Sequence, residues 1–152
     1  VLFFIFLLAC FAAGATGSLF PPGEWYKTLR KPSWTPSDWM FPVFWTVIYF
    51  CISFAAALVA TSPNAGLGLA FWALQIAVNT LWTPVFFGLH RIKLGFYILS
   101  LLWLSVAATT VSFFTINLLA GWLLVPYIVW VSIAGFLNFT VWRLNQEAIA
   151  AT

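Results

Sequence analysis

The chain has 152 residues but only nine charged side chains, six Lys and Arg against three Asp and Glu, where a soluble domain of this length would carry about 38. Hydrophobic residues make up 64% of it and the mean hydropathy is +1.04, which leaves too little polar surface to cover a water-soluble globule. Soluble enzymes are excluded on that ground, and six basic groups are too few for a phosphate-tracking nucleic-acid face.

A helix needs roughly 20 apolar residues to cross the hydrocarbon core, so the spacing of charges counts the spans. Residues 1 to 23 are uncharged and hold one. Residues 39 to 89 and 94 to 142 are also uncharged and hold two each, the first pair divided at Thr61-Ser62-Pro63-Asn64-Ala65-Gly66 and the second near Thr115 to Asn117. The prediction is an all-α membrane protein, one domain of five transmembrane helices at about 1–20, 41–61, 66–89, 94–115 and 118–143. Period-2 alternation, which a lipid-facing barrel requires, is missing from these runs. The first helix lacks a basic n-region and is expected to be a span and not a cleaved leader. Since the chain starts without Met, a few residues are expected to precede it. Cys10 and Cys51 lie in apolar runs and act as small hydrophobes.

Five spans put Lys27, Arg30, Lys31, Arg91, Lys93 and Arg143 on one side. By the positive-inside rule that side, with the C-terminus, faces the cytoplasm if the membrane is a plasma or inner membrane.

The long loop at 21–40 holds four prolines and three tryptophans, Trp25, Trp34 and Trp39. Prolines lower the entropy lost on ordering a loop and the aromatics give it something to bury, so it reads as a lid. An aromatic belt at headgroup level is the competing reading. Inside the spans, Gln75 and Asn79 lie one helical step apart with Trp82 and Thr83 continuing the face, and Trp130, Ala134 and Asn138 form an i, i+4, i+8 stripe. Such polar groups mark a ligand site or glue helices together. Pro84 frees the carbonyl of residue 80. His90 sits beside Arg91 and Lys93 and is expected to be solvated, no carboxylate lies mid-span to relay protons, and no metal-ligand cluster is present. Gly66 with Ala70 and Ala73 with Ala77 form one small-residue seam; Ala9, Ala13 and Gly17 form another.

These residues resemble the TspO/MBR family, the translocator proteins, tryptophan-rich sensory proteins or peripheral-type benzodiazepine receptors. The resemblance is carried by Trp25-Tyr26 with Leu29 and Lys31-Pro32-Ser33-Trp34-Thr35-Pro36, Trp45 with Tyr49, and Asn79 with Trp82-Thr83-Pro84 and Phe86-Phe87-Gly88. Ala107-Ala108-Thr109-Thr110, Pro126-Tyr127 with Trp130, Leu137-Asn138 and Trp142-Arg143 continue it, so that it covers essentially the whole chain. It implies a five-helix bundle, commonly a homodimer, that binds porphyrins such as protoporphyrin IX or haem as ligand, with no obligatory cofactor. In some members it also implies cholesterol and synthetic benzodiazepine- or isoquinoline-type ligands. The ligand pocket it implies lies below the first loop, lined by Trp25, Tyr26, Pro36, Trp45, Tyr49, Asn79, Trp82, Trp103, Trp130 and Ala134. Trp25 and Trp130 match positions linked to porphyrin breakdown, and would be catalytic only if that reaction occurs. The family's sterol pattern departs here, with Phe139 standing between Leu137 and Arg143 where Tyr is required, which argues against tight sterol binding.

Three functions follow from these readings. The chain is a tetrapyrrole-binding translocator or sensor, a light-dependent porphyrin-degrading enzyme, or a regulatory partner of other membrane proteins.

Overall fold

With no water in a bilayer core, an apolar segment must pair its own backbone groups, and in this chain it does so as helix. The computed structural model describes residues 1–147. The helices are α1 (Leu2–Gly14), α2 (Thr16–Leu19), α3 (Gly23–Thr28), α4 (Met40–Ala60), α5 (Gly66–Thr83), α6 (Ile92–Ile116) and α7 (Leu118–Leu144), with a π-helical turn at Pro84–Gly88. Five stretches are long and apolar enough to span: Leu2–Leu19, Met40–Ala60, Gly66–Gly88, Ile92–Ile116 and Leu118–Leu144. No strand occurs among the described residues.

The breaks have local causes. Between α6 and α7 the chain needs one residue, Asn117, whose extended backbone (φ −150°) ends one helix while its side chain accepts from the Ala120 N–H at 3.0 Å and caps the next. Pro84 cannot donate to the carbonyl of residue 80, and the chain past it widens into the π turn, with the Leu89 N–H reaching back to the Pro84 carbonyl at 2.9 Å. The lid segment is more ordered than a loop. Gly23, at φ +62°, turns the chain where a Cβ would be strained, and α3 follows with Glu24 in its first turn and Lys27 in its last.

The spans close into a ring in which α1 touches α4, α4 touches α7, α7 touches α6, α6 touches α5 and α5 returns to α1. Ile52, Ala55, Ala56 and Val59 of α4, Val106 and Phe113 of α6 and Leu124 and Tyr127 of α7 are fully buried at its centre. Between 17% and 39% of each span is buried, and large apolar side chains such as Phe4, Leu8, Trp122 and Phe136 point outward, an arrangement that suits a hydrocarbon solvent. Trp25 stacks on His90, the Arg30 backbone is held by Asn145, and Lys93 reaches Trp142. These contacts bring the lid, the 90–93 connector and the end of α7, and with them all six basic residues, to one end.

Candidate functional site

Beneath the lid, at this basic end, lies a cavity of about 790 Å³. α4 supplies Phe41, Trp45, Thr46 and Tyr49; α5 and the π turn supply Asn79, Trp82, Thr83, Phe86 and Phe87; α7 supplies Leu137, Asn138 and Val141. The end of the first span, including Gly14 and Phe20, and Tyr26 and Asp38 of the lid complete it.

Ring stacking organises the walls. Trp82 stacks on Phe86 at 5.0 Å between centroids and 26° between planes, and Trp45 tilts over Tyr49 at 5.7 Å. Two glycines make room for them. A Cβ on Gly14 would lie 2.9 Å from the Tyr49 ring, and one on Gly95 would lie 3.1 Å from Asn138 Oδ1 and 3.2 Å from Phe86.

The intramembrane amides bond across the bundle, as hydrocarbon demands, except that Gln75 Nε2 is buried without a partner among the described residues. Tyr49 O–H donates to Asn79 Oδ1 at 3.4 Å, Asn79 Nδ2 donates to the Tyr127 hydroxyl at 2.9 Å, and Tyr127 O–H donates to Gln75 Oε1 at 2.6 Å. Trp82 Nε1 donates to Asn138 Oδ1 at 3.0 Å, and Asn138 Nδ2 donates to the Ile92 carbonyl at 2.9 Å. One amide of each chain, Asn79 and Asn138, faces the cavity.

Three contacts hold the lid. Asn145 at the end of α7 uses its side-chain amide as a backbone mimic, accepting from Arg30 N–H at 2.9 Å and donating to the Arg30 carbonyl at 2.8 Å. Tyr26 and Leu29 are buried against Phe86, Ile92, Leu137 and Val141, and Trp25 stacks on His90 at 4.1 Å with planes 7° apart. Lys31 Nζ closes α3 by donating to the Tyr26 carbonyl at 2.7 Å and lies 4.3 Å above the Tyr26 ring. Burial, and next the Asp38 carboxylate, push the Tyr26 phenol above its ordinary value.

Of the ten residues the sequence points to, Tyr26, Trp45, Tyr49, Asn79 and Trp82 line the cavity; Trp25, Pro36, Trp103, Trp130 and Ala134 do not. Trp25 lies one ring behind Phe86, at 5.6 Å, and Trp130 packs edge-on against Phe41 at 5.5 Å. Ala134 packs into the core, and Pro36 stays within the lid segment. Trp103 faces outward, 41% exposed, because its neighbour Leu102 takes the inward position on α6 and one residue is a rotation of about 100°. Phe20, Asp38, Phe86, Phe87 and Asn138 line the cavity in addition. Asn138 is visible as an intramembrane amide, whereas Phe86 and Phe87 owe their direction to the π turn, which helical periodicity does not foresee. Leu137 of the sterol pattern points into the cavity and Phe139 into an outer groove, so the two do not share a face.

A ring of five spans around an aromatic-walled cavity defines an integral multi-pass membrane protein. The TspO/MBR family profile matches residues 6–143. The chain is 56% identical to Protein CrtK of Rhodobacter capsulatus over 95% of its length and 92% of that protein, and 49% identical to the tryptophan-rich sensory protein of Cereibacter sphaeroides over 95% and 91%. It is 36% identical to the human translocator protein over 91% and 85%. The chain belongs to the TspO/MBR family.

Proposed function

We propose that the protein binds tetrapyrroles, protoporphyrin IX or haem, beneath the lid, and senses or translocates them. The observation that carries this reading is the pair of aromatic walls, Trp82 on Phe86 and Trp45 over Tyr49, around a cavity of about 790 Å³. A flat conjugated ring suits such walls, and the volume falls in the range of small-molecule sites, about 300–1,000 Å³. Asn79 Oδ1, which accepts only the 3.4 Å bond from Tyr49, retains lone-pair capacity for a pyrrole N–H. Among the side chains that can ligate a haem iron, only the phenols of Tyr26 and Tyr49 line the cavity, and Tyr49 O–H is engaged with Asn79. Ring carboxylates would extend to the lid end, where Lys27 and Arg30 are exposed. The names of the relatives, translocator protein and tryptophan-rich sensory protein, support transport or sensing. In a plasma or inner membrane, the positive-inside rule assigns the basic end to the cytoplasm.

Titration of the purified protein with protoporphyrin IX, followed by tryptophan emission, tests this. Saturable quenching is expected, weakened on the order of tenfold by Asn79→Leu, which removes a hydrogen-bonding amide. Trp39→Phe should change the affinity little, because Trp39 is 63% exposed and outside the lining. Quenching that never saturates, or equal losses in both variants, would mean partitioning into detergent and sink the reading.

A second reading, light-driven degradation of the bound porphyrin, is favoured by one arrangement. Two indoles line the cavity, and Trp25 and Trp130 lie one ring behind it, against Phe86 and Phe41.

A further inference from the structure

A second concavity lies outside the ring. Between α6 and α7 runs a groove of about 640 Å³ with Leu99 and Val131 as its buried floor and Leu104 and Phe136 as exposed rims, so it opens away from the bundle. A Cβ at Gly135 would meet no heavy atom within 4 Å, and that empty space deepens the groove. Its polar atoms are already paired within the wall: Trp103 Nε1 donates to Ser132 Oγ at 2.9 Å and Ser132 O–H donates to the Ile128 carbonyl at 2.7 Å. What is left exposed is apolar.

The basic end of the groove differs. Phe96 and Phe139, 5.3 Å apart, form its walls there, and Trp142 packs against both. Lys93 Nζ stands 5.7 Å over the Trp142 ring and the Arg143 guanidinium 5.9 Å over the Phe139 ring. These distances are near the outer limit of a cation–π contact, about 6 Å, so neither charge is tightly held. Among the described residues, no carboxylate pairs with Lys93 or Arg143; the one ion pair is Lys27 with Glu24.

We infer that this groove is a binding site for an anionic glycerophospholipid, with one acyl chain lying along Phe96, Gly135 and Phe139 and the phosphate met by Lys93 and Arg143. The two parts argue for one molecule. An apolar channel open to hydrocarbon fits a chain, and two cations that no carboxylate among the described residues pairs with, at the headgroup end of that channel, fit a negative charge tethered to the chain. Free phosphate would gain nothing from the channel, and a sterol nothing from the cations. A second copy related by an axis normal to the membrane would bring its own Lys93 and Arg143 to the same depth, like charge against like. Leu99 is shared between the groove floor and the central cavity wall, but the groove opens on the outer side of the bundle, and the inference does not rest on porphyrin binding.

Native mass spectrometry of the delipidated full chain, titrated with phosphatidylglycerol or phosphatidylcholine of identical acyl chains, tests it. One phosphatidylglycerol should be retained at a concentration on the order of tenfold lower than phosphatidylcholine. Lys93→Gln with Arg143→Gln should erase that preference, each single change should remove part of it, and Arg91→Gln should leave it in place. Gly135→Leu should weaken both lipids alike, since it fills the tail space without touching charge. Raising salt on the unaltered chain should erode the preference, a readout that needs no variant to fold. No preference in the unaltered chain, or an equal loss with Arg91→Gln, would overturn the inference. So would cholesterol that displaces phosphatidylglycerol and binds independently of Lys93 and Arg143, or cross-linking of Gly135→Cys between copies.

Discussion

Asn145→Ala should loosen the lid without loosening the bundle. The native side chain is buried and makes both lid bonds, to the Arg30 N–H at 2.9 Å and from its own Nδ2 to the Arg30 carbonyl at 2.8 Å. Alanine deletes both, and each is worth about 0.5–1.5 kcal/mol net, so lid opening becomes easier by about 1–3 kcal/mol, or roughly 5- to 150-fold. Tyr26 and Leu29 remain packed against Phe86 and Val141, and within the spans the change removes only the bond from Asn145 Nδ2 to the Val141 carbonyl in the last turn of α7, 2.7 Å long. Hydrogen exchange reads this directly. The Arg30 amide and the rest of the lid should exchange faster by that factor while α4, α6 and α7 are unchanged, and bound protoporphyrin IX should dissociate faster. Asn145→Asp, which keeps the acceptor for Arg30 N–H and loses the donor, should fall between. Lid exchange unaltered by Asn145→Ala, or acceleration spread equally over the spans, would refute the clasp.

Tyr26 titrates above its ordinary value of 10.0. Because its proton is held more tightly in the folded lid, the stabilisation is complete below about pH 10 and is lost as pH rises through the raised value. Asp38→Asn should bring that loss, followed by ultraviolet phenolate absorbance and lid exchange, to lower pH. Gly66, Ala70, Ala73 and Ala77 all face outward on α5, whereas Ala13 is buried, which interrupts the seam on α1. Ala73→Leu with Ala77→Leu should therefore shift a homodimer toward monomer in light scattering, and Ala13→Leu should not. Under illumination with protoporphyrin IX, Trp25→Phe and Trp130→Phe should each slow bleaching and retain binding; equal rates in the unaltered chain, both variants and empty detergent would remove the degradative reading. Reporter fusions at Asn64 and His90 should report opposite sides of the membrane, and the same side for both would contradict five spans.

The span count was legible because charges are rare enough to serve as markers, and Asn117 could end one helix and cap another while offering only a faint break. The amides were legible for a related reason, since hydrocarbon makes every polar group conspicuous: Gln75, Asn79 and Asn138 all enter paired chains. Direction was harder. Trp103 and Leu102 are adjacent in sequence and face opposite environments; the buried Ser105 and Thr109 mark the Leu102 face of α6, a weaker signal than a charge would give. Trp130 and Ala134 share a face with Asn138, yet Phe41 and Phe44 pack against Trp130. Only the crossing of α4 decides that. The partner of His90 was not legible either, because stacking on Trp25 joins the lid to a connector sixty-odd residues away through a turn in which His90 itself adopts φ 55°.

The ring order has a consequence for biosynthesis. α7 is the last span to leave the ribosome, yet it sits between α4 and α6, which are made second and fourth among the spans. Until it enters, Asn79 Nδ2 and Gln75 Oε1 lack Tyr127, and Trp82 Nε1 lacks Asn138. Those unpaired groups raise the energy of the four-span intermediate in the bilayer and pull the final helix into place. The cavity wall is finished by the same event, and Asn145, the residue that fastens the lid, follows the end of that helix. A nascent chain thus cannot trap a ligand early: the vessel acquires its last stave and its stopper together, at the very end of translation.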